Sequence, residues 1–341
     1  MNNNELILRV NNLKQYFKLE GKYLKAVDDV SFDVRKGEVF GIVGESGCGK
    51  TTIGRSIIGL YEITGGDIYY KDHHINSGLP FLKERIKEAR ASGNKQLAEE
   101  LEAKLRVDKK MMKKMRYNEA LSDIQMIFQD PISSLDPRMT VREIIGEGMI
   151  IRGERDMKKI DKKVKETLNL VGLVAEHAER YPHEFSGGQR QRIGIARAIV
   201  MNPEIIIADE PISALDVSVQ AQVINLLNDL RREMNLTILF IAHDLAVVKY
   251  FSDRIAVMYY GKMVELADSD ELFAHPFHPY TRALLSAIPV PDPNTERNRK
   301  REVYVPALAH DYSVDKPTFR EVREKHWVLC NNAEYEKFTK Q

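Results

Sequence analysis

Apolar positions in this chain follow two rhythms. Residues 39–43, 124–128, 205–208 and 237–242 are short, nearly unbroken apolar runs, as expected of strands covered on both faces. They alternate with stretches of helical periodicity, which predicts an α/β core with a parallel sheet. Residues 6–10, 25–34 and 67–70 read as strands of an antiparallel β layer, punctuated by Gly21, Gly37 and Gly65-Gly66. Between about residues 142 and 180 the pattern turns helical, with Ile144, Ile145, Val164, Leu168 and Val171 at helix spacing, and a further helix is expected from about 189 to 201. Residues 255–259 and 263–266 flank Tyr260-Gly261-Lys262 as a terminal hairpin.

One segment interrupts this scheme. Residues 79–115 are rich in Lys, Glu and Arg, with Leu97, Leu101 and Leu105 on one helical face and Leu82, Ile86 and Ala89 on another. Ser92-Gly93-Asn94 separates the two faces, so a charged helical hairpin is predicted as an insert over about 76–118. Glu100 and Lys104 have the four-residue spacing of a helical ion pair, worth about 0.2–0.5 kcal/mol. Basic residues there raise a nucleic-acid or lipid reading, but the mixed charge favours a solvated face or a partner contact.

The chemistry begins at Gly44-Glu45-Ser46-Gly47-Cys48-Gly49-Lys50-Thr51, which follows a predicted strand and opens a predicted helix through Thr52. Glycines let such a loop turn tightly, and the N–H groups of about Gly47 to Thr52 then converge on an anion at a helix N-terminus. Lys50 would reach the β- and γ-phosphates of a nucleotide, and Thr51 would ligate Mg²⁺. Downstream, the run Ile205-Ile206-Ile207-Ala208 delivers Asp209 and Glu210 to its carboxyl end, where open α/β sheets bind ligands. Adjacent acids point to opposite sides of the chain, so they take different tasks. Asp209 suits a hydrated Mg²⁺, and Glu210 suits an attacking water that His243, ending the strand 237–242, would hold in line. A helix cap with a solvated neighbour is the plainer reading of such a pair. Ser186-Gly187-Gly188 reads as a second bare helix N-terminus with a hydroxyl, able to meet an anion or simply to cap.

In these residues the chain resembles the ATP-binding cassette (ABC) ATPases. Phe185-Ser186-Gly187-Gly188-Gln189-Arg190-Gln191 is similar to their signature motif, with Phe where Leu is more usual. Residues 205–211 resemble a Walker B strand with its catalytic glutamate. Ser213-Ala214-Leu215-Asp216 matches the D-loop, Gln129 the Q-loop and His243 the switch histidine. The resemblance spans about residues 5–270 and implies a RecA-like core with an antiparallel layer and a helical subdomain over about 142–200. It implies that Ser186, Gly187, Gly188 and Gln189 contact ATP bound to the opposite subunit, with Asp216 at the same junction, and that Gln129 touches the Mg²⁺. Two cassettes would sandwich two nucleotides, and a monomer would hydrolyse ATP poorly. The family also stacks an aromatic ring on adenine, for which Phe17 aligns slightly better than Tyr16.

The run from His275 to Pro289, His-Pro-Phe-His-Pro-Tyr-Thr-Arg-Ala-Leu-Leu-Ser-Ala-Ile-Pro, resembles the extension of oligopeptide and dipeptide importer ATPases. Together with the phosphate-loop and Gln129 segments it resembles the F-type subunits of oligopeptide permeases. That resemblance implies a nucleotide-binding domain over 1–270 and an extension over 271–341. It further implies ATP and Mg²⁺ as ligands, a second ABC ATPase subunit of the related D-type in a heterodimer, two membrane permease subunits, and an extracytoplasmic peptide-binding protein reached indirectly. The chain would sit on the cytoplasmic face of the membrane, held by the permeases. Dipeptides, nickel or another small solute are the alternative cargoes. Some relatives carry an iron-sulfur cluster in this tail, but Cys330 is its only cysteine, so no cluster is expected.

Composition narrows the remainder. The 51 basic and 50 acidic residues leave a net charge of +1, so no polyelectrolyte partner is implied. Cys48 and Cys330 cannot make a disulfide framework. The start, Met1-Asn2-Asn3-Asn4-Glu5, does not read as a secretory signal, and no window approaches the roughly 20 apolar residues of a spanning helix. A ribosome- or DNA-associated ABC machine would need two cassettes or a far longer insert. A non-hydrolysing regulatory module is expected to lack Glu210 and His243, which are both present.

Overall fold

The computed structural model describes residues 5–115, 122–288 and 301–340. Its strands are β1 (Leu6–Leu19), β2 (Lys22–Arg35), β3 (Val39–Val43), β4 (Gly65–Tyr70), β5 (His73–Ser77), β6 (Ile124–Ile127), β7 (Ile205–Asp209), β8 (Thr237–Ala242), β9 (Arg254–Tyr259), β10 (Lys262–Asp268), β11 (Thr318–Arg323) and β12 (His326–Cys330). Four form an antiparallel sheet in the order β2-β1-β4-β5; eight form a second sheet, β11-β12-β10-β9-β3-β8-β7-β6. Within the second, β9, β3, β8, β7 and β6 run parallel, and β10, β12 and β11 continue it antiparallel. The expected hairpin of β9 and β10 forms, and its first strand also belongs to the parallel core beside β3.

The central strands are apolar throughout because both faces are covered. Alternate residues go to opposite cores: Phe40, Ile42, Ile205 and Ile207 face the antiparallel layer, whereas Val39, Val43, Ile206 and Ala208 face the helices. Helix α1 (Lys50–Ile57) follows β3, and α2 (Leu79–Ala91) and α3 (Lys95–Met115) form the insert. The short α4 (Pro131–Ser134) follows β6. Helices α5 (Val141–Ile151), α6 (Met157–Leu170) and α7 (Gly187–Ile199) bury Ile144, Ile145, Val164, Leu168 and Val171 in the second core. Further helices are α8 (Val217–Met234), α9 (Leu245–Phe251), α10 (Ser269–Ala274) and α11 (Pro279–Ser286).

The first two strands are longer than their apolar runs, at 14 residues each, because half-polar stretches such as Lys14-Gln15-Tyr16 continue the pairing through register shifts. Strand β5 has no apolar signal, since its polar residues are buried with partners. Asn76 Nδ2 donates to Ser56 O at 2.9 Å and Tyr61 O at 3.1 Å, and Ser77 Oγ lies 3.0 Å from both Asp67 Oδ1 and Asp108 Oδ2, between which its single proton is shared. The insert hairpin closes on Leu82, Ile86, Leu97, Leu101 and Leu105. Its expected Glu100–Lys104 pair is replaced: Lys104 Nζ lies 3.2 Å from Asp67 Oδ2 in β4, and Glu100 accepts from Gln96. A half-buried carboxylate anchored on a strand outcompetes an exposed one along the helix. The insert's expected end near residue 118 and Pro289 lie outside the described residues, as do residues 1–4.

The C-terminal segment is built onto β10. Glu265, fully buried, accepts from the Phe277 N–H at 2.7 Å and the His278 N–H at 3.1 Å, and His326 Nε2 lies 2.8 Å from its carboxylate. His278 in turn caps α11, its Nδ1 accepting the Tyr280 N–H at 3.1 Å. Burial, reinforced by His310 and Arg282, pushes the His278 imidazolium down to about 3 from 6.5. The folded ring therefore stays neutral while the unfolded one takes up a proton below pH 6.5, so its contribution is present above 6.5 and lost as pH falls towards 3. His278→Asn keeps a cap and removes the titration. Denaturant unfolding should show the wild type losing about 1.4 kcal/mol more per pH unit than the variant below that threshold. Elsewhere, Arg254 Nη2 pairs with Glu38 Oε1 at 2.7 Å, both side chains buried, and also donates to Asp33 O at 2.7 Å. Arg254→Leu strands the Glu38 carboxylate and should cost about 3–5 kcal/mol in the same assay.

Candidate functional site

The loop between β3 and α1 is held by the two strands beside it. Gly44 has φ +151°, and a Cβ there would stand 2.2 Å from Met258 O of β9; Gly49 has φ +105°, and its Cβ would stand 2.1 Å from Ala26 O of β2. Neither position can take a side chain. Gly47, at φ +80°, faces open space instead. Lys50 Nζ donates to Gly44 O at 2.8 Å and Glu45 O at 2.9 Å, so the ammonium is folded into the loop that surrounds it. Ser46 and Gly47 are exposed at the loop tip, and Thr52 is half-buried on α1. Cys48 is buried beneath, and burial pushes its thiol up, which keeps it protonated.

Across the sheet, Thr51 Oγ1 donates to Asp209 Oδ1 at 2.8 Å. The other oxygen, Asp209 Oδ2, is buried without a hydrogen-bond partner. Burial pushes this carboxyl up, opposed by the Thr51 bond and by the Arg55 and Lys50 charges. An orphaned carboxylate oxygen beside a threonine hydroxyl is a donor set that fits a hydrated Mg²⁺. Glu210 turns away because its backbone is left-handed, φ +44°, fixed by its N–H on Ile241 O at 2.9 Å. Its Oε2 accepts from Gln129 Nε2 at 2.9 Å and lies 3.4 Å from His243 Nδ1. Ser46, Gln129, Asp130, Glu210, Ser213 and His243 line a cleft of about 510 Å³. Gln129 thus meets Glu210 here, and the Thr51–Asp209 pair sits one residue earlier, at the end of β7. Ser213 Oγ donates to Glu210 O at 3.1 Å, which ties the segment 213–216 to the acid.

The Ser186 tip is not bare. Ser186 Oγ accepts the Gln189 N–H at 3.3 Å while Gln189 Oε1 accepts the Ser186 N–H at 3.0 Å, a reciprocal capping box that the motif supplies to itself. A Cβ on Gly188 would lie 2.5 Å from Val219 Cγ1, so α7 and α8 meet closely there, and Gly187 faces Leu215. Ser186 and Gly187 are exposed, and none of residues 186–189 lines the cleft. Asp216 sits at the N-cap of α8 without a side-chain capping bond.

Tyr16 and Phe17 are both half-buried and differently engaged. The Tyr16 hydroxyl donates to Asp28 at 2.5 Å and Lys25 Nζ stands 5.3 Å over its ring, whereas Phe17 makes an edge contact with Tyr61 at 5.3 Å. Neither lines the cleft. Sequence reasoning passed over Asp130, which lines it, and Tyr280, whose hydroxyl accepts the Glu45 N–H at 3.1 Å. Tyr280 belongs to the run 275–289, but its partner is 235 residues away in the chain. Gly49→Ala would force the loop off Ala26 and should weaken nucleotide binding at least tenfold, about 1.4 kcal/mol, in a calorimetric titration.

Residues 27–213 match the family model described as ABC transporter, and residues 264–313 match that of the oligopeptide/dipeptide transporter C-terminal region. The chain is 51% identical over 336 residues to the oligopeptide transport ATP-binding protein OppF of Bacillus subtilis (strain 168), covering 98% of this chain and 99% of the relative. It is 46% identical to the dipeptide transport ATP-binding protein DppF of Lactococcus lactis subsp. cremoris (strain MG1363), over 93% and 91% of the two chains. Among solved structures it is similar to the ATP-binding cassette MJ0796 in a dimeric post-hydrolysis state bound to ADP and Pi, with TM-score 0.60 and 26% identity over 77% of this chain and 99% of that one.

Proposed function

The chain belongs to the ABC transporter family, and on that footing we propose that it is the ATP-hydrolysing subunit of an importer that energises oligopeptide uptake through partner membrane subunits. The observation that carries the ATPase reading is Glu210, held between Gln129 and His243 at the mouth of the cleft beside the phosphate loop. Lys50 leaves the loop carbonyls for the β- and γ-phosphates, and the loop amides from about Gly47 through Thr52 wrap the phosphate chain. Thr51, Asp209 and Gln129 are the residues that would hold Mg²⁺, which when bound neutralises charge on the phosphates. Glu210 accepts the proton of the attacking water, and His243 orients that water. Phe17, exchanging its Tyr61 contact for adenine, is the stacking candidate.

Ser186, Gly187, Gly188 and Gln189 cap their own helix outside the cleft, which supports a role toward ATP on an opposite cassette, with Asp216 at the same junction. The working unit would then be a pair, here a heterodimer with a D-type subunit. Membrane coupling is supported by a groove of about 340 Å³ next to the Gln129 strand, lined by Ile58, Phe128, Gly148, Ile151, Arg197 and Met201. A short amphipathic helix of a permease fits such a surface. Among the described residues no helix is long and apolar enough to cross a membrane. The partners proposed on the likeness to oligopeptide transport ATP-binding proteins are two membrane permeases, with an extracytoplasmic receptor supplying peptide. On this reading the chain works at the cytoplasmic face of the membrane, held by the permeases. Cys330 sits among Phe277, Val328 and Phe338 with its thiol pushed up to about 11, surroundings that do not favour cluster ligation. The dipeptide relative keeps dipeptides as a second cargo.

Glu210→Gln should lower ATP turnover at least a hundredfold while ATP binding persists, and vesicles carrying the assembled transporter with this variant should stop accumulating labelled oligopeptide. Undiminished peptide uptake would refute the assignment.

A further inference from the structure

The C-terminal segment reaches the nucleotide site directly, and the geometry points to a task for that contact. Tyr280, on the first turn of α11 and fully buried, accepts the Glu45 N–H at 3.1 Å. Glu45 is the second residue of the phosphate loop, and its carbonyl is one of the two that hold the Lys50 ammonium. The hydroxyl is itself fixed from behind. The Tyr280 ring lies 4.5 Å from Tyr259 at the end of β9 and 5.5 Å from Tyr304, and its backbone N–H is tied to His278, which hangs on Glu265. Met258, next to Tyr259, presents the carbonyl that presses on Gly44. One side of the loop is thereby braced by β9, and its next peptide is braced by the extension.

We propose that Tyr280 is a positioning residue for ATP binding: a strut from the C-terminal extension that keeps the Gly44-Glu45 end of the loop in its phosphate-ready shape once Lys50 departs. Without nucleotide the ammonium clamps the Gly44 and Glu45 carbonyls from inside. When Lys50 turns to phosphate, that clamp is released. The Tyr280 bond then remains on the Glu45 peptide, so losing it penalises the bound state more than the empty one. Removing a single neutral hydrogen bond of this kind is read as a threefold to tenfold effect. The inference rests on the reading of Lys50 as a phosphate ligand.

Tyr280→Phe in the full chain retains the ring and deletes the hydroxyl. Titration with Mg-ATP should show the dissociation constant and KM raised threefold to tenfold, with kcat within twofold of wild type and the melting temperature nearly unchanged. Unaltered ATP affinity, or a fall in kcat with KM preserved, would overturn the strut. A purely structural role would instead lower the melting temperature without separating KM from kcat. Hydrogen exchange of the wild-type loop supplies an arm that needs no variant: the Glu45 amide should be protected with ATP bound, and rapid exchange there would equally overturn the proposal. Wild-type protein that failed to bind ATP at all would strike the underlying reading of the loop, an outcome distinct from both.

Discussion

Two backbone carbonyls, Ala26 O of β2 and Met258 O of β9, stand so close to the phosphate loop that only glycine fits opposite them. This packing constraint fixes where α1 begins. From there Lys50 is directed into the loop and Thr51 onto Asp209, 158 residues later in the chain. Every later feature of the site uses that frame. A shift of the loop by the width of a methyl group would separate Thr51 from β7 and leave Asp209 wholly unpaired in a dry interior, a costly arrangement for a carboxylate.

The same frame explains how neighbouring acids serve different ends. Asp209 finishes β7 in regular strand geometry and keeps an oxygen buried and unpaired. Glu210 adopts a left-handed backbone and swings to Gln129 and His243. Left-handed geometry at a non-glycine residue carries strain, and here the Ile241 carbonyl holds it by taking the Glu210 N–H. The strain sits where the cleft opens, beside Ser213 and Ser46.

Much of this was legible in the chain because local signals and tertiary demands agree there. The glycine spacing at 44–49, the apolar run before Asp209 and Glu210, and the strand ending at His243 each state a local conformation and its chemistry together. Other parts lacked such agreement. Strand β5 has Ile75 as its one apolar residue, and its polar residues Asn76 and Ser77 find partners in Ser56, Tyr61 and Asp108, distant in sequence, so no periodicity marks it. Strands β11 and β12 extend the sheet through His326 and the buried Glu265, a pairing that no pattern encodes. Ser186 read as a bare helix tip because a capping box depends on which way the Gln189 amide points, and nothing local marked Tyr280 because its partner lies in the loop 235 residues earlier.

On the proposed pairing each ATP site is shared, with the Lys50 loop on one chain and the Ser186 tip, exposed and outside the cleft, serving another copy or partner. Specific ATPase activity followed through dilution, with the association state read in parallel by sedimentation, tests it most directly. Turnover per chain should collapse as paired cassettes dissociate. Full specific activity in a solution of demonstrated monomers would contradict it.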